Sequence, residues 1–168
     1  YHGSNIPFQS IDLEKGVPSK DFGRGFYATD SLECAEKTAM QRVARLGGHP
    51  KVMAFDCDES VLSSLKLRTF LYPCKEWALF VRSNRKVESP SEDHNRDNRY
   101  DVVKGPIADD KLSLLFRLYE RDIITVDEFA KRMQFTKLYM QYSFHTKRSL
   151  DALHFLEVRD VIRTETAD

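Results

Sequence analysis

Two glycine-bearing motifs limit most tightly what this chain can fold into: Tyr1-His2-Gly3-Ser4, and then Asp21-Phe22-Gly23-Arg24-Gly25-Phe26-Tyr27. A short strand ending in His-Gly-Ser and a glycine-flanked turn ending in Phe-Tyr can form two walls of a pocket for a flat ligand. Glycine has no Cβ and tolerates positive φ, so backbone approaches a ring closely there. A tyrosine adds a stacking face and a hydroxyl. A histidine adds a donor or acceptor without a fixed charge at neutral pH. Phe26 and Tyr27 face opposite sides of an alternating strand, which sends Phe26 to the core, where the side chain of Phe22 also belongs, and Tyr27 to the pocket.

The rest of the chain reads as a mixed order of elements, so the expected class is α+β. Residues 1–4 form a strand and 5–20, with Pro7, Gly16 and Pro18, an irregular loop. Asp30 is the expected N-cap, with Glu33 as its reciprocal partner. Leu32, Ala35, Ala39, Val43 and Leu46 then recur at helical spacing up to Gly47-Gly48. Strands are expected at 52–55, 65–72, 100–103 and 138–145. Helices are expected at 75–83, 111–119, 126–134 (opened by a Thr125…Glu128 capping box) and 147–155. The polar run 85–99 reads as an exposed, mobile loop. One domain, 1–168, accounts for the length.

Charge narrows the partners. Lys+Arg and Asp+Glu stand at 26 each, and nucleic-acid binders generally carry a basic excess, so no nucleic-acid partner is expected. No apolar run is long enough to span a membrane. No signal-peptide pattern is present, and the chain starts inside its best motif without an initiator methionine, as an excised domain would. Cys34, Cys57 and Cys74 have no metal-ligand spacing, with each other or with His145 and His154, and read as reduced thiols. Asp-Phe-Gly also occurs in kinases, but neither a glycine-rich phosphate loop nor a catalytic-loop motif accompanies it here.

The two opening motifs resemble those of the DUF3990 family, placed in the ADP-ribosyltransferase superfamily. Trp77-Ala78-Leu79-Phe80-Val81 leading to Asn84-Arg85, Tyr100 to Asp110, and Gln141-Tyr142-Ser143-Phe144-His145-Thr146 fit the same family, so the resemblance runs along nearly the whole chain in order. It implies an ADP-ribosyltransferase-like fold of the His-Tyr type, with NAD as co-substrate bent across a cleft between two small sheets, and no metal. By resemblance His2, Tyr27 and Gln141 are the catalytic set. His2 would bind the ribose on the adenosine side, Gly3 the nicotinamide carboxamide through its backbone, and Tyr27 the nicotinamide ring. The implied cofactor-binding set adds Tyr1, Ser4, Phe22, Gly23, Arg24, Gly25 and Asn84. Asn84 reads equally well as a helix terminator, Asp101 as a turn anchor, and Arg24 as either a pyrophosphate contact or a surface residue.

Gln141 stands where many of these transferases carry a glutamate. A glutamine can hold a ribose hydroxyl through its carbonyl oxygen but stabilises an oxocarbenium ion less, which favours a single transfer over polymer formation. The implied activity is mono-ADP-ribosylation of a protein, with a host protein such as ubiquitin as an acceptor the family implies. The implied setting is a cytoplasmic or host-delivered monomeric effector. An NAD glycohydrolase, or a non-catalytic module that binds NAD, ADP-ribose or a protein, are the alternatives.

Overall fold

In the computed structural model, residues 1–85, 93–107, 110–133 and 139–162 are described. Two small sheets form the frame. The first has three strands, β1 (His2–Ser4), β3 (Lys51–Cys57) and β7 (Leu153–Asp160), in the order β1-β3-β7 and antiparallel throughout. The second has four, β2 (Phe26–Thr29), β4 (Leu67–Thr69), β5 (Val102–Pro106) and β6 (Met140–Phe144), in the order β2-β6-β5-β4, with only β4 and β5 parallel. No helix among the described residues is long and apolar enough to cross a membrane.

β3 takes the centre of its sheet because Val52, Met53 and Ala54 are all buried, as a strand covered on both faces requires. Helix α1 (Leu32–Leu46) lies against this sheet and buries Ala35 and Ala39. Its N-cap is Ser31, whose side chain accepts from the Cys34 amide, rather than Asp30 one residue earlier. The small residues on this face of α1 let β1 come very close: a Cβ on Gly3 would overlap the Ala35 carbonyl oxygen and lie 2.7 Å from the Ala39 nitrogen.

Two cores flank the four-stranded sheet. Between the sheets, Phe26, Val102 and Phe144 meet Phe55 and Leu153, so the core position expected for Phe26 is the one observed. On the far side, α3 (Lys75–Arg85), α4 (Asp110–Glu120) and α5 (Val126–Met133) pack Trp77, Phe80, Phe116 and Phe129 around Phe22 and Val103. The Thr125…Glu128 box that opens α5 is formed as expected.

The clearest departure from the sequence reading is at the end of the chain. The expected helix over 147–155 is only α6 (Lys147–Leu150), and β7 follows it. From Leu153 onward the chain pairs along the whole length of β3, and that ladder outweighs local helical spacing. A short α2 (Glu59–Ser63), capped by Asp58, lies in a stretch given no element from sequence, and the strand expected at 65–72 is confined to β4.

The 85–99 run is also revised in its described part. Arg85 ends α3, and Asn95 is fully buried, its side chain bridging the Tyr100 amide and carbonyl. The 86–92 portion of that run, Asp109, and residues 134 and 138 at the ends of expected elements lie outside the described residues. Asp101 is the expected anchor: its carboxylate accepts from the Lys66 amide, Thr146 and Arg148.

Candidate functional site

A cleft opens where β1 parts from β2. The two strands are joined at one residue pair: the Tyr1 nitrogen donates to the Thr29 carbonyl (2.7 Å), and the Thr29 amide donates to the Tyr1 carbonyl (2.8 Å). Backbone groups of alternate strand residues point to alternate edges, so the Gly3 amide and carbonyl share the β2-facing edge with those of Tyr1. The strands separate there, and the Gly3 groups border the gap. The His2 imidazole bridges it: Nδ1–H donates to the Tyr27 carbonyl (2.5 Å) while the ring stacks on Phe26 at 4.7 Å.

The cleft has two adjoining lobes. One, of about 250 Å³, is lined by Ser4, Phe8, Ile11, Val17, Gly25 and Phe26, among others. The other, of about 290 Å³, is lined by Tyr1, Gly3, Asp21, Cys34, Arg85 and Gln141, among others. His2, Lys20, Tyr27 and Arg42 line both. The structure therefore brings six of the residues expected from sequence (Tyr1, His2, Gly3, Ser4, Gly25 and Tyr27) to the cleft, and Gln141 to the same lobe as Gly3 and Tyr27.

Tyr27 presents its ring to the cleft but not a free hydroxyl. The hydroxyl donates to the Gly23 carbonyl (2.7 Å) and accepts from the Phe22 amide (3.0 Å). That closes the 21–25 turn, in which Gly23 takes a φ of +91°, a conformation suited to glycine. Burial, and then the charge of Asp21, push the phenol well above its ordinary range, so it stays protonated and the clasp stays intact.

Gln141 sits on β6 with its amide held from behind. Its Nε2 donates to Asp21 Oδ2 (3.0 Å) and to the Pro106 carbonyl (3.2 Å). Asp21 is held in turn by Arg85, whose Nη2 and Nε donate to Oδ1 at 2.8 and 3.1 Å. Both protons of the amide nitrogen are therefore engaged, which fixes the side chain and leaves Oε1 as its acceptor. A glutamate here would set a carboxylate against two acceptors, the Asp21 carboxylate and the Pro106 carbonyl. These neighbours require a donor, and glutamine supplies it.

Four members of the expected cofactor set do not line the cleft. Asn84 is buried in the last turn of α3, where Nδ2 donates to the Phe80 carbonyl and Oδ1 accepts from the Asn95 amide, so both ends of its amide are used inside the protein. Phe22 is wholly buried between Phe70, Phe80 and Tyr27. Arg24 points to the surface, paired with Glu14 at 2.8 Å. Gly23 acts through its carbonyl on Tyr27 and does not line either lobe. Lys20 and Arg42, which line the cleft, carried no sequence signal, since a lone charge in a loop or helix reads as a solvated face; Asp21 and Arg85, which line it too, stood in quoted motifs but were given no role.

Two histidines, His2 in the cleft and His145 behind it, have an energetic consequence. Burial lowers the pKa of His2 to about 4, although its bond to the Tyr27 carbonyl opposes the shift. Burial lowers His145 to about 4 as well. His145 Nδ1–H donates to the Arg24 carbonyl (2.7 Å), and Nε2 faces Ser143 Oγ at 2.8 Å. That Ser–His pair is enclosed at the end of β6, does not line either lobe, and holds the turn to the sheet. An unfolded histidine titrates near 6.5, so between pH 6.5 and 4 the unfolded chain binds more protons. Stability should be unaffected by these groups above that window and fall as pH drops through it, by roughly 3 kcal/mol for each histidine. Urea midpoints measured from pH 7.5 to 4.5 test this, and a flat profile down to pH 5 would contradict it.

Among the described residues no group of three or more His, Cys, Asp and Glu side chains is placed to hold a metal ion. Cys34 borders the cleft as a free thiol, its pKa raised by burial, which makes it a poor nucleophile. Residues 1–155 match the model of a family described as proteins of unknown function, DUF3990, and the chain belongs to that family. Neither a curated protein nor a solved structure gives a significant match.

Proposed function

We propose that this DUF3990 protein is an NAD-dependent mono-ADP-ribosyltransferase, transferring ADP-ribose to a protein side chain and releasing nicotinamide. One observation carries the reading: His2, Gly3, Tyr27 and Gln141, far apart in sequence, meet at the cleft between the two sheets. Each offers what one part of NAD needs. The Gly3 amide and carbonyl match the acceptor and donor of a carboxamide. The Tyr27 ring offers a face to the nicotinamide, and Gln141 Oε1 an acceptor for a ribose hydroxyl. His2 is neutral at pH 7 with Nδ1 already donating, so Nε2 can accept from the other ribose.

The reaction is substitution at the anomeric carbon. The bond to nicotinamide breaks, its electron pair returns to the ring, and nicotinamide leaves neutral. The acceptor forms the new bond and releases its proton to solvent. The protein contributes orientation and restraint of the bent substrate, without an acid for the leaving group. With a neutral glutamine at the ribose, one transfer rather than a polymer is expected.

Purified protein incubated with NAD, with and without cell lysate, tests the reading. Nicotinamide release that depends on lysate and accompanies a labelled protein band is the expected result. Release without lysate or automodification would make the protein a glycohydrolase. NAD binding without release would make it a binding module.

A further inference from the structure

Two cations stand at the junction of the two lobes. Lys20 and Arg42 line both, and among the described residues neither has a hydrogen bond or ion pair. Lys20 Nζ stands 5.9 Å from the centre of the Tyr27 ring. The carboxylates nearby are occupied: Asp21 by Arg85 and Gln141, Asp12 by the Glu14 amide of the short turn it caps. The charges that act on the pair are mostly of like sign. Arg42, Arg45 and Arg85 press on Lys20, against the single opposing influence of Asp21, and Arg45 presses on Arg42. A chain with balanced formal charge thus gathers uncompensated cations at one concave place, an arrangement that attracts an anion.

We propose that Lys20 and Arg42 clamp the diphosphate of a nucleoside diphosphate ester that spans both lobes. The position selects this ligand class. An anion held at the junction has room for an organic group on each side. On one side Phe8, Ile11, Val17 and Phe26 offer the apolar walls a base requires; on the other the Gly3 edge and Gln141 offer polar ones. Arg42 comes from α1 and Lys20 from the loop before the 21–25 turn, so a bridging diphosphate also ties that loop to the helix. This assignment names the substrate class of the site proposed above and rests on that reading for the identity of the second organic group only.

Calorimetric titration with ADP, adenosine and inorganic pyrophosphate, on the wild-type chain and on Lys20→Gln, Arg42→Gln and the double variant, tests it. ADP affinity should fall by about tenfold or more with each substitution, as expected for loss of a charge-assisted contact, while adenosine affinity stays the same. Thermal midpoints of the unliganded variants should be unchanged or higher, since each substitution relieves repulsion; lower midpoints would mark a structural role and overturn the proposal. Failure of the wild type to bind ADP, or equal ADP affinity in wild type and double variant, would also overturn it. The two readings separate cleanly. ADP binding that depends on the clamp, with no nicotinamide released from NAD, would sink the transferase and keep the clamp. Nicotinamide release unchanged in the double variant at subsaturating NAD would do the reverse.

Discussion

Gly3→Ala should cost roughly 3 kcal/mol or more of stability and disable the cleft together with the fold. The added Cβ has nowhere to go: it meets the carbonyl of Ala35 and the amide nitrogen of Ala39, both backbone atoms of α1. A flexible side chain could swing aside, but a helix backbone moves only as a unit. Relief therefore means lifting β1 off α1, which strains its pairing with β3 and the Tyr1–Thr29 link to the other sheet. Urea unfolding measures the loss directly. The double variant Gly3→Ala/Ala35→Gly sharpens the test. Because the obstruction is backbone, removing the Ala35 side chain should restore nothing, and should add about 1 kcal/mol for glycine within a helix. Recovery of stability in the double variant would refute this packing account.

That outcome bears on how the opening motif is to be read. From sequence, Gly3 suggests close approach of backbone to a ligand. In the fold its missing Cβ faces α1, and only its amide edge borders the cleft. That Gly3 borders a cleft was legible, but the reason for glycine was not, because α1 is brought there by tertiary packing alone.

The same division runs through the molecule. The α1 periodicity, the Thr125…Glu128 box and the opposed faces of Phe26 and Tyr27 are local patterns, and each is found as expected. β7 was hidden because Leu150, Leu153 and the residues around them permit a helical reading, and only pairing with β3 decides against it. Asn84 was ambiguous for a related reason. An amide can serve a ligand or the backbone equally, and its partner Asn95 lies in a polar run that gives no sign of a fully buried residue. Lys20 and Arg42 are ordinary surface charges until the fold sets them on the same cleft. Local signals thus mark residues that line the cleft, while its charges become visible only in three dimensions.

For Gln141 the expected result is a loss of activity on the order of a hundredfold in Gln141→Ala, read as nicotinamide release from saturating NAD, with the protein still folded. Oε1 is the acceptor proposed for the ribose hydroxyl, and an acceptor held in place matters most as charge builds on that sugar. The variant also strips a donor from Asp21 Oδ2 and the Pro106 carbonyl, so a modest stability loss of about 1–2 kcal/mol should accompany it. Gln141→Glu separates orientation from charge. If this position merely lacked a glutamate that the proposed reaction favours, the substitution would raise activity. The neighbours argue otherwise: a carboxylate facing Asp21 and the Pro106 carbonyl is repelled, so its pKa should rise above that of a free glutamate. The unfolded chain then gives up the proton of the introduced carboxyl at lower pH than the folded one, and stability lost by Gln141→Glu should grow as pH rises from 4 through neutrality. No gain in nicotinamide release at pH 7, together with that pH-dependent destabilisation, is the expected pair of results. A clear gain in release would show that Gln141 is a weakened glutamate rather than the residue its surroundings demand.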